Sequence, residues 1–158
     1  METEHNNQQK ITPFLWFDNN AEEAMNFYTS IFKDSKIGKI HRLPTDGSMM
    51  TASFHLNGQE FMVLNAGPQF KFNHAISFFV KCKTQEEVDH FWEKLSEGGQ
   101  KEQCGWLKDK FGLSWQIVPN ALGELMYNKD PQKSKKVMEA MMKMTKIEIA
   151  ELEAAYNS

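Results

Sequence analysis

At 158 residues the chain has the length of one ordinary domain with a substantial core. Its net charge is -3, and Lys133, Lys135 and Lys136 are its one basic cluster, which excludes an electrostatic surface for nucleic acid. No run reaches the roughly 18 apolar residues of a membrane span, residues 1–10 lack the apolar stretch of a secretory signal, and Cys82 and Cys104 lack CxxC spacing; a cytoplasmic protein without disulfide framework or cysteine zinc site is expected.

Residues 1–10 are polar without periodicity and read as a disordered tail. The apolar and aromatic run from Ile11 to Phe17 predicts a strand. Asn20 then offers a helix N-cap, with Glu23 completing a capping box. Ala21, Ala24, Met25, Tyr28, Ile31 and Phe32 share one face of a helix ending near Lys33. Strands follow at Ser35 to Arg42 and Met49 to Leu56 around a Pro44-Thr45-Asp46-Gly47 turn, and Asn57-Gly58 predicts a two-residue hairpin into Gln59 to Asn65. Ala75 to Val80 is the next strand. Thr84 and Glu87 form a second capping box, Val88, Phe91, Trp92 and Leu95 a buried stripe, and Gly98-Gly99 a helix stop. A short segment near Lys101 to Cys104, then Gly105 to Asp109 and Leu113 to Pro119, give further strands. Beyond Pro119 the pattern is helical. Asp130-Pro131 starts a helix whose Val137, Met138, Met141 and Met142 read as a packing stripe, or as adaptable cover for a partner or cavity mouth. Thr145 and Glu148 form a third capping box before Ile147 to Tyr156.

The chain repeats itself. Asn20 to Tyr28 is matched by Thr84 to Trp92 at an offset of 64 residues, and His55 to Leu64 by Asp109 to Val118 at an offset of 54. Self-similarity on this scale means two copies of one supersecondary unit. Each copy reads βαβββ. The expected fold class is therefore α+β: two tandem βαβββ modules forming curved mixed sheets around a chamber, plus C-terminal helices. Residues 11–120 form one domain of paired modules, about 11–66 and about 74–119, and residues 121–158 a helical extension. One helix covers only one face of a four-stranded sheet, so two such modules can pool their open faces. Strand alternation sorts the side chains. Phe61 and Val63, like Trp115 and Ile117, suit the helix side. Met62, and Ser114 with Gln116, then face the chamber.

These modules, with Ile11 to Phe17, Ala75 to Val80 and above all the segment Cys104 to Pro119, resemble the PhnB-like branch of the glyoxalase/bleomycin resistance/dioxygenase (vicinal oxygen chelate) superfamily. That branch often carries the name 3-demethylubiquinone-9 3-methyltransferase. The resemblance extends over roughly residues 11–156, C-terminal helices included. It implies a curved-sheet chamber, commonly a homodimer, and in the superfamily's enzymes a divalent metal held by His and Glu from the first and last strand of each module. Here the last-strand positions are Met62 and Gln116, and the first-strand positions fall near Pro13 and near Ala75 or Ser77, with His74 adjacent. A thioether and a neutral amide are poor partners for a hard cation, so no metal and no other cofactor is expected, a divalent metal being the disfavoured alternative.

The candidate catalytic residue is His74, a general base or otherwise a strand-edge residue without chemistry. Candidate ligand-binding residues are Gln116, Met62, Pro13, Ser77 and Ser114. His41, His55 and His90 read as surface residues, Trp16, Trp106 and Trp115 as core, and both cysteines as structural thiols. A methyl-donor site needs a glycine-rich strand-to-helix turn; this chain offers Gly98-Gly99 at a helix C-terminus instead. GxSxG, P-loop and HExxH motifs are absent. The leading expectation is a metal-free small-molecule binding protein, homodimeric, without nucleic-acid or membrane partners. The alternatives are an enzyme of the lyase, isomerase or group-transfer kind using His74 and Gln116, and an assembly module built on the Met-rich helices.

Overall fold

The computed structural model describes residues 9–158, and the chain falls into two compact units divided between Lys71 and Phe72. The first contains β1 (Phe14–Phe17), α1 (Ala21–Ile31), β2 (Ser35–Arg42), β3 (Met49–Leu56) and β4 (Gln59–Asn65). Its sheet order is β1-β4-β3-β2, with β1 parallel to β4 and the other pairs antiparallel. The second repeats this plan with β5 (Ser77–Cys82), α2 (Gln85–Ser96), β6 (Gln100–Lys101), β7 (Trp106–Lys108) and β8 (Ser114–Pro119), in the order β5-β8-β7-β6. It continues into α3 (Asn120–Met126), α4 (Pro131–Met142) and α5 (Ile149–Tyr156). The α+β class and both βαβββ modules are thus as the sequence implies.

In the first unit, alternation decides which face is core. Leu15, Phe17, Phe54, Leu56, Phe61 and Val63 are buried, as are Ala21, Ala24, Met25, Tyr28 and Ile31 of α1. Tyr28 stacks on Phe54 at 6.1 Å between ring centroids, and Phe54 on Phe61 at 5.2 Å. Burying each large apolar side chain stabilises by about 1.5–3 kcal/mol, and this layer sets the register of the sheet. The hairpin from β3 to β4 turns on Asn57 and Gly58, both with positive φ (51° and 79°), as a type I′ turn requires. The opposite face carries Phe14, Trp16, Met62 and Leu64, all at least partly exposed.

The helix caps differ from expectation. Asn20 makes no side-chain cap bond. The Ala21 N–H instead donates to Asn65 Oδ1 at 2.9 Å, and Asn65 Nδ2 donates to the Met49 carbonyl at 3.3 Å. The end of β4 thus supplies the oxygen that the local sequence was expected to supply. The third box differs in the same way. Thr145 is not the cap, and the Ile149 N–H donates to Gln85 Oε1 of α2 at 2.8 Å. Only the second box forms locally. There Thr84 Oγ1 accepts from the Glu87 N–H at 3.2 Å, while Glu87 accepts from Lys83 N–H, one residue before the cap, at 2.9 Å.

The tail expected at residues 1–10 lies, up to residue 8, outside the described residues. Its last part is held: Gln9 exchanges amide hydrogen bonds with the Glu60 backbone at 3.0 and 3.1 Å. The first strand begins at Phe14 rather than Ile11, and the segment expected near Lys101 to Cys104 pairs only at Gln100–Lys101.

In the second unit α2 packs on β7 and β8, burying Val88, Trp92 and Leu95 with Leu107, Trp115 and Ile117. The C-terminal helices belong to this same unit. Val118, Leu122, Val137, Met144, Ile147 and Leu152 form one buried cluster. The Cys104 and Gly105 N–H groups donate to the Met144 and Thr145 carbonyls, both at 2.8 Å. Gly105 must lack a side chain, since a Cβ there would lie 2.8 Å from Ile147 Cδ1 and 2.9 Å from the Ile117 carbonyl. Lys146 pairs with Asp89 of α2 at 2.9 Å; the Gln85 amide and then Lys146 hold the Asp89 carboxyl below the usual range. Asp130 caps α4 as its sequence predicts, accepting from the Gln132 and Lys133 N–H groups. The expected Met stripe divides: Val137 is fully buried and Met141 partly, whereas Met138 and Met142 are 42% and 61% exposed. No described helix is long and apolar enough to cross a membrane.

Candidate functional site

On the face of the second sheet opposite α2, strand register brings a polar and aromatic group together. Trp106, Gln116 and Phe79 are partners across β7, β8 and β5, and Lys108, Ser114 and Ser77 form the adjacent row. Gln116 Nε2 donates to Ser77 Oγ at 2.9 Å. That bond fixes the amide plane and leaves Gln116 Oε1 as an acceptor. Ser114 is fully buried and its hydroxyl has no hydrogen-bond partner among the described residues. Such a group costs about 1–3 kcal/mol, a cost that a bound molecule with an acceptor would offset.

His74 sits at the edge of this group. Its Nε2 lies 2.9 and 3.1 Å from the two carboxylate oxygens of Glu102, and its ring centroid is 6.2 Å from that of Trp106. The histidine side chain is 53% exposed and the glutamate 20%. A carboxylate accepting from Nε2–H sets the tautomer of the neutral ring and makes Nδ1 an acceptor.

Four of the sequence-predicted residues, His74, Ser77, Ser114 and Gln116, thus lie in one unit along one patch. Met62 and Pro13 belong to the first unit. Met62 is half-buried on that sheet's open face between Phe14 and Ser53, and the Pro13 carbonyl accepts from its N–H at 2.9 Å. Trp106 and Glu102 are additions. Trp106, expected in the core, is half-exposed; placing the β7–β8 hairpin on Gly112 would have set it opposite Gln116. Nothing in sequence marks Glu102, which reaches its partner across 28 residues. Trp16 is likewise a surface aromatic, half-exposed, its indole donating to the Gly67 carbonyl at 3.0 Å. Trp115 is core, as expected, and donates to Asp109 Oδ2 at 2.9 Å. His55, expected on the surface, is half-buried and 3.5 Å from Glu60. Burial pushes the Cys82 thiol up to about 12, which keeps it protonated and inert.

The positions that hold a metal in the superfamily's enzymes offer here a thioether, Met62, and an amide, Gln116, whose nitrogen is engaged by Ser77. Among the described residues no three His, Cys, Asp or Glu side chains converge on one point. These donors do not fit a divalent cation held by imidazole and carboxylate. A cleft of about 680 Å³ lies elsewhere, between α2 and the α4–α5 connection, lined in part by Trp92, Lys101, Lys143 and Lys146. Lys101 is paired with Glu93, and Lys146 with Asp89 and Glu148.

Paired βαβββ modules with open mixed sheets define a protein of the glyoxalase/bleomycin resistance/dioxygenase superfamily. More narrowly, the chain belongs to the 3-demethylubiquinone-9 3-methyltransferase family, whose profile matches residues 9–118. It is 42% identical to a putative 3-demethylubiquinone-9 3-methyltransferase, PhnB protein, from Bacillus cereus, which covers 70% of this chain and 99% of its own at a TM-score of 0.66. The fold is also similar to protein PA1353 from Pseudomonas aeruginosa, at 19% identity, 69% and 96% coverage and a TM-score of 0.60. No curated protein matches the chain. The family match ends at residue 118, so α3, α4 and α5 lie outside it, contrary to the expected extent through residue 156.

Proposed function

We propose that the protein binds a small molecule, without a metal, on the face of the second sheet that carries Trp106 and Gln116. The supporting observation is the Gln116 amide held by Ser77 beside a half-exposed indole: an oriented acceptor next to a flat apolar surface. The donor chemistry at Met62 and Gln116 speaks for a ligand rather than a cation. Methyl transfer, the activity in the family's name, finds no support, because the turns into α1 (Asp18-Asn19-Asn20) and α2 (Lys83-Thr84) hold no glycine for close approach of a nucleotide-bearing donor. Binding of fragments from a small aromatic library, followed by NMR, is expected to shift the Trp106 indole signal. Gln116→Leu with Trp106→Ala should weaken the hits at least tenfold. Hits that bind this double variant as well as wild type would place the ligand elsewhere and sink the proposal.

A second reading, an enzyme, is favoured by the His74–Glu102 pair at 2.9 Å beside the same indole. In that reading Glu102 orients the ring and Nδ1 takes a proton from the bound molecule. For any turnover found, His74→Gln should lower kcat by about 10²-fold or more, and Glu102→Gln should lower it less. Unchanged turnover in His74→Gln would remove this reading. Homodimerisation belongs to the same proposal, supported by the exposed Met138, Met142 and Tyr127 of the C-terminal helices.

A further inference from the structure

Beside the Trp106 row lies a second row with a different chemistry. Lys108, Ser114 and Ser77 are register partners across β7, β8 and β5. All three are donors. Lys108 is half-buried, and no carboxylate among the described residues pairs with it. Ser114 is fully buried with an unpartnered hydroxyl. Ser77 accepts from Gln116 and so has its own proton left to give. A cation and two hydroxyl protons without an acceptor are complementary to an oxyanion. The neighbouring row, Trp106 and Phe79, the latter 53% exposed, is flat and apolar. Successive rows on one face of a sheet are about 7 Å apart, the span of one aromatic ring with an attached acid group.

We infer that the ligand of this face is a planar apolar molecule bearing a carboxylate, with the anion on Lys108, Ser114 and Ser77 and the ring on Trp106. The inference rests on the binding function proposed above and names its ligand class. Specificity follows from the donor row, since a neutral alcohol brings one oxygen and no charge to pair with Lys108, whereas the carboxylate brings two oxygens and the opposite charge.

Calorimetric titration of the full chain with 2-naphthoate and with 2-naphthalenemethanol separates the two claims. Naphthoate is expected to bind about tenfold or more tightly than the alcohol. Lys108→Met should weaken naphthoate about tenfold and leave the alcohol nearly unchanged, Ser114→Ala should weaken naphthoate more than the alcohol, and Lys108→Arg should retain naphthoate binding. Thermal melting of each variant at the wild-type temperature confirms that it is folded. Equal affinity for acid and alcohol, or unaltered naphthoate binding by Lys108→Met, would overturn the anionic ligand and leave the binding face intact. Failure of both molecules to bind would overturn the two together.

Discussion

Truncation after Asn120 is expected to unfold the second unit at physiological temperature, although the family match ends at residue 118. The deletion removes Leu122, Val137, Met144, Ile147 and Leu152 and leaves their partner Val118, buried in the full chain, open to water. Exposing one buried aliphatic side chain costs about 1.5–3 kcal/mol. The Cys104 and Gly105 N–H groups lose their acceptors, and Gln85 loses both its bond to the Ile147 carbonyl and its role as cap of α5. A loss of several kcal/mol is a large fraction of a domain's typical 5–15 kcal/mol. Circular dichroism should show the truncated chain melting at least 10 °C lower or without a cooperative transition. A truncated chain that melts like the full one would mean that α3, α4 and α5 are an appendage, and would favour the assembly-module reading.

Asp109→Ala should be the most damaging single substitution. Asp109 is 2% exposed between β7 and β8. Its Oδ1 accepts from the Phe111 and Leu113 N–H groups at 2.9 and 3.0 Å, and its Oδ2 from the Trp115 indole at 2.9 Å. One carboxylate therefore closes the hairpin and anchors the core tryptophan. Removing it leaves buried donors unmet, for a loss of about 3–5 kcal/mol, or roughly 10 °C in melting temperature for a chain of this size. Asp109→Asn is expected to lose about half as much. Its oxygen can still serve the two backbone groups, but its amide nitrogen meets the indole N–H donor to donor. Equal melting of wild type and Asp109→Ala would show that the turn is held by Gly112 and the strand pairing alone. The wild-type hairpin also carries Lys108, Ser114 and Gln116, so the same substitution should abolish ligand binding.

Local signals in the sequence were reliable where structure is made locally. Alternation and the Asn57-Gly58 hairpin predict β2, β3 and β4 with their observed ends, Asp130 caps the helix its Pro131 starts, and the Phe61/Val63 and Trp115/Ile117 parity assigns the core faces. Errors came where a partner is distant in the chain. Asn65 caps α1 from 44 residues away and Gln85 caps α5 from 64, so the local Asn20/Glu23 and Thr145/Glu148 patterns misled. The site behaves alike. Ser77, Ser114 and Gln116 were legible because strand period aligns them, whereas Glu102 lies in a two-residue-strand connection with no period to read. Trp106 reads as core in sequence because tryptophan is usually buried; its half-exposed position is set by the register of β7 on β8. Asp109 carried no distinguishing pattern, its importance arising from a turn that folds three donors onto one side chain.

The central claim, a metal-free binding face on the second sheet, is tested most directly by native mass spectrometry of the full chain. Spectra would be recorded with a library hit, before and after adding zinc and manganese. The account predicts a one-to-one adduct of the hit with no stoichiometric divalent metal, and the same adduct in either condition. One retained metal ion per chain, with the adduct forming only when it is present, would contradict it.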